Sequence, residues 1–194
     1  MAIVVVMDIN VKNPIVYFPI IFICYFVAWL IEFHIIGSLQ DGISFFNIKH
    51  QTASIAFIPH GVRVMSIILL GSRAFMPIYI ISMFTGYYFL NAENTFALST
   101  MTLVSLALTL WVLKINTNGV ELEKITIKNI LYVATVASVI SSLLNSIFKY
   151  FIEGNADPFL NILVTHTIGD IIGAVICFYF LGLFYKLLQS RTSH

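Results

Sequence analysis

Charge is scarce in this chain of 194 residues: Asp, Glu, Lys and Arg together make up 10% of it. The ten cations stand singly rather than in runs, so no basic surface suited to nucleic acid is expected. Cysteine is nearly absent too. Cys24 and Cys177 lie in apolar stretches without C-x-x-C or metal-ligand spacing, which reads as buried free thiols and leaves the redox compartment open. The chain has no G-x-S-x-G, no H-E-x-x-H, no paired catalytic carboxylates and no Gly-rich phosphate loop. No nucleophile or oxyanion site can be named beside its few embedded acids and imidazoles, so catalysis is not expected. No stretch is polar enough to form a separate soluble domain.

What is present is apolar. Hydrophobic residues make up 59% of the chain and the mean hydropathy is +0.95, far outside the range of soluble domains. The reading is an all-α integral membrane protein, a single transmembrane domain over residues 1–194 in contact with the lipid bilayer. A spanning helix needs about 20 mostly apolar residues. That length finds six spans, at about 15–33, 52–70, 74–90, 95–113, 129–150 and 159–188. The first is too long for a signal peptide and lacks a cleavage site. Pro59 and Pro77 sit near the starts of the second and third spans, where a missing amide donor costs least, although Pro59 also suits a kink. Gly71 to Arg73 breaks the chain between them. The polar segment from Gly37 to Gln51 has room for a short interfacial piece.

Six spans place both termini on one side. That side then carries Lys12, Arg73, Lys114, Lys124, Lys128, Lys186 and Arg191, against only Lys49 and Lys149 opposite. The asymmetry predicts cytoplasmic termini. The other face holds Glu32, Asp41, Glu93, Glu153 and Asp157.

Two charges fall in the middle of spans, Arg63 and Asp170. Each costs roughly 3 kcal/mol on insertion scales, so such groups persist when paired, wetted or functional. Arg63 lies eleven residues after Thr52 and Asp170 eleven after Phe159, in spans that enter from the same face, which predicts a shared depth. His60 and His166 lie one turn nearer the outer surface on the same helical faces. Gly169 and Gly173 form a small-xxx-small pair that admits a close helix neighbour. In the fifth span Thr135, Ser138, Ser142, Asn145 and Lys149 share one face. Together these residues describe an outward-facing polar pocket in which His60, Arg63, Asn145, Lys149, His166 and Asp170 bind a small polar or anionic ligand. Other readings stand beside it. Arg63 and Asp170 suit a structural ion pair, the Ser and Thr stripe suits ordinary helix packing, and Lys149 suits snorkelling to the interface. His60 and His166 also suit haem or metal ligation, and Asp170 with His166 a proton relay. No cofactor is specified.

The segment P-H-G-V-R from Pro59 to Arg63, with Gly61 at its centre, is followed by L-L-G-S-R from Leu69 to Arg73 and then Pro77. With I-G-D-I-I-G from Ile168 to Gly173, it resembles the bacterial membrane-associated sensor domains of the MASE type. The resemblance runs from about residue 15 to 188, but only these two blocks are specific. It departs from the family pattern at Ile58, His60 and Arg63, and at Thr165 to Thr167 before Gly-Asp. It implies a stimulus- or ligand-sensing bundle in a bacterial inner membrane. Family members commonly precede a cyclase, phosphodiesterase or kinase. Here only a few residues follow the last span, so signalling output is expected through a partner chain or a second copy. Two further classes remain: a transport component of the substrate-binding-subunit type, which this chain is similar to in length and helix number, and a structural or assembly subunit of a membrane complex.

Overall fold

The structure is a computed structural model that describes residues 13–42, 56–90, 95–114, 127–152 and 159–192. Helix α1 spans Pro14–Ile31, capped by Asn13, whose side chain accepts the Ile15 amide at 3.0 Å. It runs through a π-turn, Glu32–Ile36, into the short α2, Gly37–Gly42. Next come α3 (Ile58–Leu70), a 3₁₀ turn (Gly71–Ala74), α4 (Phe75–Leu90), α5 (Thr95–Leu113) and α6 (Ile127–Ile147). A second π-turn, Phe148–Ile152, and α7 (Phe159–Thr192) complete the order. There is no strand among the described residues. Expectations for Lys12, Lys49, Glu93, Lys124, Glu153 and Asp157, and for the first residues of the second span, lie outside them.

Five stretches are long and apolar enough to cross a bilayer: Pro14–Leu39, Ile58–Tyr88, Thr95–Leu113, Lys128–Phe151 and Phe159–Leu183. Their outer faces expose Ile20, Ile23, Leu108, Leu143, Val164 and Val175, as lipid contact requires. This is a multi-pass membrane protein. The second stretch merges the second and third expected spans, and its 31 residues are interrupted at Gly71. Gly71 has φ 60° and ψ −135°, a conformation that suits glycine and ends α3. The chain doubles back there. Ile67 and Leu70 of α3 share a cluster with Ile78 of α4 and Ile21 of α1, whereas Val62 and Ile81 meet farther along α1 at Tyr25 and Ala28.

Helix α3 is the best buried element, with ten of its thirteen residues enclosed by the other helices. Pro59 is buried in its first turn, where no helix hydrogen bond is lost. The His60 amide donates within its own turn, to the Phe57 carbonyl at 3.1 Å, while the Phe57 amide donates to the Gly169 carbonyl of α7 at 2.9 Å. The Ile58 amide is shared between the Ala56 carbonyl at 2.9 Å and Glu32 Oε2 at 3.3 Å. The π-turn points Glu32 inward for this role, and the side chain is 2% exposed rather than part of an outer charged face.

The expected small-residue contact is present. A Cβ on Gly173 would stand 2.1 Å from the Phe57 carbonyl oxygen, and one on Gly61 would stand 2.5 Å from the Cys177 Cβ. The two motif blocks therefore pack backbone against backbone, with Gly169 facing Phe57 and Gly173 facing Gly61. Helices α3 and α7 run parallel, as expected, but in a different register. The expectation counted from Thr52, whereas helix begins only at Ile58. Asp170 consequently stands beside the first turn of α3, and Arg63 lies roughly five residues, or ~7 Å, farther along. The thiols also differ from expectation: Cys24 is exposed and Cys177 half-buried, both free.

Gly173→Ala is expected to lower stability by about 1–3 kcal/mol, because its methyl meets backbone that cannot rotate away. Thermal unfolding in detergent should show this as a lower midpoint. Gly182→Ala, whose added Cβ meets nothing within 4 Å, should leave the midpoint unchanged.

Candidate functional site

Two polar centres lie on α3, three residues apart and facing different neighbours. The first is Arg63, 7% exposed. Its Nε donates to Tyr25 Oη of α1 at 2.7 Å, and its Nη2 donates to the same oxygen. Since that oxygen accepts from the guanidinium, the phenol proton is directed to Ser82 Oγ of α4 at 3.3 Å. The guanidinium carbon stands 5.3 Å from the Tyr25 ring centroid and 5.4 Å from that of Phe57. These faces stabilise a cation in a dry setting. Trp29 packs edge-on against Phe57 and closes the same side.

Beside the guanidinium is a cavity of about 50 Å³, room for a few water-sized occupants. Tyr25 and Trp29 of α1, Ser82 and Thr85 of α4, and Ser99 and Thr102 of α5 line it with Arg63. Thr85 donates to the Ile81 carbonyl at 2.9 Å and Thr102 to the Leu98 carbonyl at 3.1 Å. Both oxygens keep lone pairs for another partner. The contribution of α5 went unread in the sequence. Thr95, Ser99, Thr102, Ser105 and Thr109, spaced four, three, three and four residues, are all buried along one face. Tyr25, one aromatic among many in α1, carries no periodic signal.

The second centre is His60 with Asp170, 1% and 3% exposed. His60 Nδ1 stands 3.3 Å from Asp170 Oδ2, within ion-pair range but out of line for a hydrogen bond. Nε2 of the same ring lies 3.3 Å from Ser138 Oγ of α6. The Ser142 hydroxyl faces the Asp170 carboxyl, also without an aligned hydrogen bond.

Five of the six residues expected in one pocket are thus distributed over three contacts. Arg63 is held by Tyr25 rather than by Asp170, because the glycine-set register carries it past the carboxylate. His60 joins Asp170. His166, one turn before Asp170 on α7, has its Nε2 3.2 Å from Lys149 Nζ, which joins α7 to the turn after α6. Asn145 is half-buried on α6. On the α6 stripe, Ser138 and Ser142 are buried as expected while Thr135 is exposed. The two imidazoles engage separate partners, and the described residues contain no group of three or more His, Cys, Asp or Glu side chains fit to hold a metal ion. Of the motif residues, Gly71 and Arg73 shape the α3–α4 turn, far from the His60–Asp170 contact.

Tyr25→Phe removes the acceptor of both guanidinium hydrogen bonds and is expected to destabilise the protein by about 2 kcal/mol. The Tyr25→Phe, Arg63→Met double variant should cost less than the two single losses added together, since it strands no buried charge. Chemical denaturation of all three variants in one detergent checks this.

No family model, curated protein or solved structure matches this chain.

Proposed function

We propose that this protein is a membrane-embedded ligand-binding protein of the sensor-like kind, in which Arg63 and its hydroxyl-lined cavity receive a small polar or anionic ligand. The observation that carries this reading is the Arg63 environment. Its hydrogen bonds go to a single phenol, and a polar cavity adjoins it between α1, α4 and α5. A permanent cation deep in an apolar bundle, next to space lined by hydroxyls, is the arrangement that recognises a small group rich in acceptors. The activity is binding rather than catalysis, and the output passes through a partner chain or a second copy.

The proposed topology has six crossings with cytoplasmic termini in a bacterial inner membrane. The reversal at Gly71 supports counting α3 and α4 separately. Arg73, Lys114 and Lys128 supply cations at the end where α5 finishes and α6 begins, which agrees with the positive-inside rule. The sensor reading draws on the two motif blocks that resemble MASE-type domains, and those blocks pack against each other. A transport component is the second reading. It is favoured by the placement of two ionisable centres on the one helix that touches most of the others.

Native mass spectrometry of the protein extracted gently in its own lipids tests the proposal. A small molecule bound to the wild type and lost in Arg63→Gln, with helix content unchanged, is the expected result. A stoichiometric partner chain with no small molecule, unaffected by Arg63→Gln, would make the protein a structural subunit instead.

A further inference from the structure

The His60–Asp170 centre lies apart from the Arg63 cavity and takes no part in the proposed ligand contacts. Its groups face one another in an unusual way. An imidazole nitrogen and a carboxylate oxygen stand 3.3 Å apart, and a serine hydroxyl faces the same carboxylate. Yet neither His60 Nδ1 nor Ser142 Oγ completes a hydrogen bond. Leaving such groups unmade in a dry interior is costly. A proton on the Asp170 carboxyl removes the cost, its O–H donating to His60 Nδ1.

The surroundings are specific. Helix α6 offers hydroxyls alone at this level, Ser138 and Ser142. From α3 comes Arg63, and from the π-turn after α1 comes Glu32, the two charged neighbours that act on Asp170 through space. His166, one turn before Asp170, and Cys177 are the other titratable groups on this stretch of α7. Without a proton the His60–Asp170 pair carries one negative charge, and with one it is neutral. A second proton would make it positive, which Arg63 opposes. The pair is therefore built to exchange one proton and to titrate as a unit.

A path is also present. Ser142 and Ser146 are one turn apart on α6, fully buried, and neither hydroxyl has a hydrogen-bond partner among the described residues. One turn beyond Ser146 is Lys149, in contact with His166. We propose that His60 and Asp170 form a binding site for a single exchangeable proton, reached from the Lys149–His166 end of the bundle along Ser142 and Ser146. The step is a transfer of one proton, from water at that end to the pair and back, and breaks no other bond.

Infrared difference spectroscopy of the full chain in lipid nanodiscs, titrated over about pH 5 to 8, tests the site. The wild type is expected to show one protonated-carboxyl band that appears as pH falls and is missing in Asp170→Asn. His60→Gln, which keeps a polar side chain of similar reach, should move the midpoint by about one pH unit, a tenfold change in proton affinity. Ser146→Ala should leave the midpoint in place and slow hydrogen–deuterium exchange of the band. Circular dichroism of each variant confirms the fold. A carboxyl band that does not titrate, one that persists in Asp170→Asn, or a midpoint indifferent to His60→Gln would each overturn the proton site. Unchanged exchange in Ser146→Ala would overturn the path. None of these outcomes bears on ligand binding at Arg63.

Discussion

The rest of the bundle depends on how α3 begins. A helix start leaves amide donors without partners, and an apolar interior has no water to accept them. Here the start is inside the protein, and two other elements supply acceptors: the Gly169 carbonyl of α7 and the Glu32 carboxylate beyond α1. The first is reachable because Gly173 presents no Cβ to the Phe57 carbonyl. Once that contact is made, the axial position of every α3 residue against α7 is set. His60 is delivered to Asp170, and Arg63 is carried on to Tyr25.

Glu32 illustrates a second constraint. A carboxylate in a membrane helix is normally avoided, but at the mouth of α3 it accepts an amide and lies near the positive end of that helix. The π-turn is the device that rotates it there. An unbroken α-helix would advance about 100° per residue and shift every later side chain around the axis. The second π-turn, Phe148–Ile152, contains Lys149, which contacts His166. Both irregular turns hold an ionisable residue against a neighbouring helix.

Much of this was legible in the sequence, for physical reasons that vary by element. The run from Thr95 to Leu113 has unambiguous ends because charged and amide residues flank a stretch without a single charge. Gly71 marked the reversal because no other residue type adopts its backbone angles so readily. The Gly169–Gly173 pair marked the α3–α7 contact. Register was not legible: apolar spans show their lengths, while relative depth depends on where hydrogen-bonded helix begins. Tyr25 was hidden because an aromatic that accepts two hydrogen bonds from Arg63 reads like any other apolar residue of α1. The α5 hydroxyls had the right spacing, but Ser and Thr are so common between membrane helices that spacing alone does not separate a cavity wall from packing.

His60 and Arg63 are three residues apart on one continuous helix that every main neighbour grips. Helix α3 is in this sense a common axle. Any turn of α3 that brings the imbalance at one centre into register moves the other by the same angle, because a hydrogen-bonded helix does not twist locally at low cost. A rotation of α3 cannot displace the imidazole at one centre without displacing the guanidinium at the other. The two centres share no contact and need none.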